Sequence, residues 1–198
     1  MENKNFMTVN EVAQELNVSK SYAYKVVREL NAEMQKLGYL TVTGRVNSIW
    51  HIFRIEDIVA HTLISGDKQV FFAGNYQERI HSPILTTGNE LIGLQIAEFS
   101  KQLDLEALYQ YAAEVKSSTE ELLGKLPYRD LKKKFGEADK ERLRALQVVS
   151  ADENASWLID YWCGKNIRGL IQMPFSRHWI LHIEASLRIK KKIHLAQN

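Results

Sequence analysis

Apolar residues recur at intervals of three and four along most of this chain, the spacing of helices that bury one face. Thr8 and Glu11 form a capping box, and Val9, Val12, Ala13 and Leu16 predict a first helix behind it. Asn17 and Val18 interrupt the run, Ser19 is placed to cap a second helix, and Val26, Val27, Leu30, Met34 and Leu37 form its stripe before Gly38. YLTVTGRV then alternates apolar and polar residues around Gly44, as a short strand pair or wing would. From Asn47 onward a helix is expected with His51, Ile55, Ile58 and Thr62 on one stripe and Gly66 as its stop. A tyrosine-containing loop follows to Gly88. Further helices are expected over 89–102, from Asp104 through Leu126, from Asp152 and Asn154 through Met173, and from Pro174 and Ser176 to about Ile193. The segment PYRDLKKKFGEADKERLRALQ reads as a charged connection. The pattern predicts a mainly α protein: residues 1–46 as a helix-turn-helix-like segment with a short β wing, and 47–198 as a helical bundle.

Composition narrows the function classes. The chain has 198 residues, a formal charge of +2 and a single cysteine, Cys163, which has no partner for an internal disulfide. No apolar run is long enough to span a bilayer, and no leader peptide is visible, so a soluble cytoplasmic protein with no membrane partner is expected. With 26 basic against 24 acidic side chains, no global field favours nucleic acid, and any DNA contact must come from a local patch. In the N-terminal segment, Lys20, Ser21, Tyr24, Lys25 and Arg28 are left off the apolar stripe and are the candidates for that contact. The other reading of this segment is a pair of amphipathic helices packed on the larger body.

The candidate chemistry lies in the histidines. His178 and His182 stand at i and i+4, on one helix face, where two imidazoles can share one metal ion or can be core residues with satisfied nitrogens. Trp179 occupies the position where a zinc protease would carry its glutamate, which excludes that class. His51, on a separate amphipathic helix and facing inward, supplies a third imidazole, and three such ligands leave positions open at zinc, nickel or iron. His61, ten residues past His51, is expected at the surface or an interface, His81 in a loop and His194 in the tail. Arg54 and Arg177 are either surface charges or clamps for an anionic group. Glu56, Asp57 and Asp160 are candidate acid–base groups, more simply surface or capping carboxylates. Trp157, Tyr161 and Trp162 are expected to build core, Cys163 to be buried, and the basic run RIKKK at 188–192 to complement a helix C-terminus.

Two resemblances are carried by longer stretches. VNEVAQELNVSKSYAYKVVREL at 9–30 resembles the helix-turn-helix of excisionase-like and phage-type regulators, which implies a second helix entering a DNA major groove. NSIWHIFRIED at 47–57, TLISGDKQVF at 62–71, TTGNELIGLQIAEFS at 86–100, WLIDYWCGK at 157–165 and MPFSRHWILH at 173–182 together resemble the DinB/YfiT-like superfamily. That resemblance implies a four-helix bundle with a divalent metal on His51, His178 and His182, and activity as a metal-dependent hydrolase or a thiol-dependent transferase on a small-molecule substrate or thiol. The alternative is a DNA-binding regulator whose bundle senses metal or a small molecule. Two departures stand out. Only Trp50 separates the N-S-I run from the histidine, where family members carry a longer A-W-x-x-W-H insertion. The family's long first helix is also missing, so either Ser19 to Leu37, about 28 Å long as a helix, takes its place or a partner chain does, which makes a homodimer the expected state.

Overall fold

A computed structural model describes residues 45–184 together with Ser19 and Leu187. The expected helix-turn-helix, with Lys20, Ser21, Tyr24, Lys25 and Arg28, lies outside the described residues, as do His194 and the basic run at 188–192. Most of the expected β wing lies outside them too, and its last two residues, Arg45 and Val46, already belong to a helix. Among the described residues the protein is mainly helical and forms no strand; Lys134 and Asn166 make one isolated antiparallel bridge.

Helix α1, Arg45–Asp57, runs directly into a wider π-helical stretch, Ile58–Ser65, and the pair ends at Gly66. Gly66 has φ 79°, the left-handed conformation that lets a chain leave a helix without a Cβ clash. Two short helices follow where a loop was expected, α2 (Val70–Ala73) and α3 (Tyr76–Ile80). Helix α4 is Leu94–Gln102, shorter than the expected 89–102. Helix α5, Leu105–Lys125, matches expectation: the Asp104 carboxylate accepts the Ala107 N–H at 2.9 Å, and Ala107, Leu108, Tyr111, Ala112, Val115 and Thr119 form its buried stripe.

The expected charged connection contains a 3₁₀ turn, Tyr128–Lys132, and helix α6, Glu137–Ala145. The single helix expected over 152–173 is broken in two. Helix α7, Glu153–Cys163, is capped by Asp152, and a new cap, Asn166, accepting the Gly169 N–H at 2.9 Å, opens α8 (Ile167–Gln172). Pro174 does not start a helix. It lacks the N–H for an α-helical bond, and the chain widens to a π-helical turn over Met173–Arg177 before continuing as α-helix through 184. Ser176 caps nothing and donates its hydroxyl back to the Gln172 carbonyl at 2.6 Å.

Helix α1 and its π extension form the wall between two cores. On one side Trp50 packs with Phe71, Tyr76, Phe99, Leu108 and Tyr111, drawn from α2 to α5. On the other, Ile55, Ile58, Val59 and Leu63 pack with Leu143, Leu158, Trp162 and Leu170 from α6 to α8. Burial on both sides explains why every residue from 54 to 64 is inside, a pattern of helices at the centre of a molecule. None of the described helices is long and apolar enough to cross a membrane.

Candidate metal centre

His51 sits midway along α1, and its orientation is set by a backbone carbonyl. Its Nδ1 lies 3.0 Å from the Thr87 carbonyl oxygen. A carbonyl can only accept, so Nδ1 carries the proton and Nε2 is left with its lone pair. The Thr87 carbonyl belongs to a strap whose three consecutive carbonyls are all gripped by α1. Trp50 Nε1 donates to Thr86 O at 3.2 Å, and Arg54 donates to Leu85 O through Nη2 at 2.6 Å and Nε at 3.2 Å. Gly88, at φ 79°, turns the strap away immediately afterwards.

His178 and His182 arrive on the C-terminal helix, which two contacts hold against α1. The Trp179 indole N–H donates to Glu56 Oε2 at 2.9 Å, and the Trp179 ring meets Phe53 edge-on at 4.9 Å. The three imidazoles converge: their ring centroids are 5.0 Å apart for His51–His178, 5.2 Å for His51–His182 and 4.5 Å for His178–His182. One nitrogen from each lies within 4.8 Å of the others, and the Nε2 atoms of His178 and His182 are 3.0 Å apart.

Two observations separate a ligand set from a satisfied histidine cluster. The first is protonation. Burial lowers His51 to about 4, the Thr87 carbonyl pulling it back up and His182 pushing it further down. Burial lowers His178 to about 3, with His51 and His182 adding to the effect, and burial also lowers His182. All three rings are therefore neutral near pH 7, the form that offers a lone pair to a metal. The second is an orphan: His178 Nδ1 is buried with no hydrogen-bond partner among the described residues, so these residues do not fully satisfy the cluster. The donor set suits zinc and its neighbours. Two nitrogens each about 2.0–2.1 Å from one ion can be at most about 4.2 Å apart; the His178–His182 pair lies inside that limit, and the set as a whole lies within 4.8 Å.

Beside His51 and His178 lies a cavity of about 210 Å³ walled by Ile55, Leu158, Trp162, Met173 and Pro174, with Trp157 and Tyr161 completing it. Among the described residues Asn89 is its one amide side chain, and no carboxylate lines it.

Several expectations about neighbouring residues are corrected. His61 is buried: its Nδ1 lies 2.7 Å from Asp57 Oδ1 and its Nε2 2.7 Å from the Ser118 hydroxyl. The π-helical turn around it has a longer period than the α-helix, so facing angles reckoned for 3.6 residues per turn do not apply. Glu56 and Asp57 are buried, not surface groups, and Asp57 caps α2 from across the fold by accepting its first two N–H groups. Arg54 is fully buried, and its guanidinium is used by Leu85 O, Asp57, Gln69 and Tyr111, so it cannot clamp a substrate anion. Trp157 is about half exposed, and so is not core. Asp160 is a surface carboxylate paired with Lys140 at 2.8 Å, Arg177 is exposed, and Cys163 is buried with its thiol pushed up by desolvation. His81 is exposed at the end of α3.

The buried group that side-chain patterning missed is the Arg54–Asp57 network. Asp57 also accepts the Val70 and Phe71 N–H groups, both at 2.9 Å, and the Tyr111 hydroxyl at 2.9 Å. Burial alone would raise the Asp57 carboxyl, but His61, the Arg54 charge and the Phe71 N–H together hold it below its ordinary value. A signal for it exists in the spacing, since Trp50, Arg54, Asp57 and His61 follow one another at intervals of four, three and four. Comparison of the chain with protein-family models, with curated proteins and with solved structures finds no match in any of the three.

Proposed function

We propose that this chain is a DinB-like metal-binding protein that holds one divalent ion, zinc, nickel or iron, on His51, His178 and His182 and serves a thiol-dependent transferase or metal-dependent hydrolase reaction. The observation that carries the reading is the convergence of three neutral imidazoles from two distant parts of the chain, with ligand atoms within 4.8 Å of one another. An ion held there would supply a positive charge able to activate a thiol or a water molecule. The chain's own residues do the rest. The Thr87 carbonyl fixes the His51 tautomer, the Trp179–Glu56 bond holds the C-terminal helix in register, and apolar side chains line the space beside the site.

The cavity favours thiol-dependent transfer over hydrolysis. Among the described residues its wall offers no carboxylate to take a proton from water, whereas a thiol reacts as its thiolate once a positive charge lowers its pKa. Elemental analysis of the purified protein beside His51→Ala tests the metal itself. One ion per chain is expected in the natural protein and a loss of at least tenfold in the variant; equal metal in both would end this reading.

A further inference from the structure

The cavity next to the histidines constrains what the site accepts. At about 210 Å³ it is larger than the roughly 150 Å³ that takes up benzene in an apolar protein interior, and small for a drug-sized ligand. Its wall is made of carbon: Ile55, Leu158, Met173 and Pro174, with the indoles of Trp157 and Trp162. Leu158, Ile55 and Trp162 are buried core residues, so this part of the wall is fixed by packing. Trp157, about half exposed and edge-on to Tyr161 at 5.6 Å, forms a side that meets solvent. Both His51 and His178 contribute to the same surface. Among the described residues polar anchoring is confined to the imidazoles, the Tyr161 side chain and the amide of Asn89, whose Oδ1 is already taken by the Thr87 hydroxyl at 2.7 Å.

Building on the metal reading above, we infer that the ligand of this site is a small molecule with one ring-sized apolar group, seated in this cavity, and a single metal-seeking head such as a thiol, directed at the three histidines. A charged group set against this wall would meet carbon with no counter-charge among the described residues.

Calorimetric titration of the full-length protein, with and without zinc, tests this using toluene, phenylmethanethiol and 2-mercaptoethanol. Toluene is expected to bind the zinc-free protein saturably at one site. Phenylmethanethiol is expected to bind the zinc-loaded protein at least tenfold more tightly than 2-mercaptoethanol, which has the head without the ring. Met173→Phe, which fills the cavity, should weaken toluene and phenylmethanethiol at least tenfold while zinc stoichiometry stays at one; Trp157→Ala, which removes the solvent-side wall, serves the same purpose if Met173→Phe does not fold. His51→Ala should keep toluene and lose zinc. No preference for phenylmethanethiol over 2-mercaptoethanol, or toluene binding unchanged in the cavity variant that folds, overturns the inference. Toluene bound at the cavity in a protein that takes up no zinc overturns the metal reading instead and leaves the apolar site standing.

Discussion

Arg54 and Asp57 have no exposed side-chain surface, and among the described residues their charges are balanced by each other, by His61 and by the dipoles around them. The guanidinium lies 4.2 Å from the centre of the Phe71 ring and donates to Asp57, Gln69, Tyr111 and the Leu85 carbonyl. Removing one member strands the others without water. Arg54→Ala is therefore expected to cost about 3–5 kcal/mol, read by urea unfolding, and to weaken zinc binding as well, because the strap carrying the Thr87 carbonyl loses its anchor. A loss below about 1 kcal/mol would mean that the network is not closed in solution. The His61–Asp57 pair makes a pH prediction. Burial alone would lower His61, but Asp57 raises it above its ordinary 6.5. The folded protein thus holds a proton that the unfolded chain releases first, so the pair's contribution is complete below about pH 6.5 and fades as pH rises through the folded value. Stability of the natural protein should fall on that alkaline side, and His61→Gln should flatten the fall. These residues were hard to read from sequence because an Arg and an Asp three apart on a helix look like a surface ion pair. What marks them as interior is their place on a stripe with Trp50, and the carbonyls they serve belong to backbone that side-chain patterns do not report.

At the scale of elements, the site depends on how the C-terminal helix meets α1. Trp179 lies between the two histidines in sequence and bonds Glu56, so one side chain sets both the depth and the rotation of the helix that presents them. Burial raises the Glu56 carboxyl, against the indole N–H, which favours its charged form. Trp179→Phe leaves that buried oxygen without its donor and is expected to cost about 1–3 kcal/mol, together with a drop of about tenfold in zinc affinity, an effect within the range for groups that orient ligands. Glu56→Gln keeps an oxygen to accept the bond and should lose under about 1 kcal/mol. Chemical unfolding and zinc titration of both variants check this pair, and equal losses would show that charge, not the bond, holds the helix. Helices with a side-chain cap and a long stripe, such as α5 behind Asp104, were legible from sequence to within a residue. The short α2 and α3 were not, since four or five residues carry no period. Nor was the continuity through Pro174, which depends on a π-helical turn rather than on residue preference.

For the whole molecule, the consequence of this architecture is that the histidines report on folding. His51 lies on the wall shared by the two cores, while His178 and His182 follow α6, α7 and α8, which pack on one face of that wall. The spacing of the last two was readable from sequence, and so was the inward face of His51, but their meeting is a property of the packed chain. An unfolded chain presents the three imidazoles far apart, so an ion that needs all three binds only the folded state and stabilises it by mass action. At free zinc of about one hundred times the dissociation constant the gain is about 2.7 kcal/mol, or a rise in midpoint of about 5–10 °C for a chain of this size. His182→Ala removes one ligand on a part-exposed helix face without opening either core, so its metal-free midpoint should stay close to that of the natural protein while the zinc-induced rise disappears. Thermal unfolding of both proteins, with zinc and with a chelator, gives four midpoints. A rise that survives in His182→Ala would place the ion elsewhere on the chain, and no rise in either protein would mean that the three imidazoles meet without holding zinc.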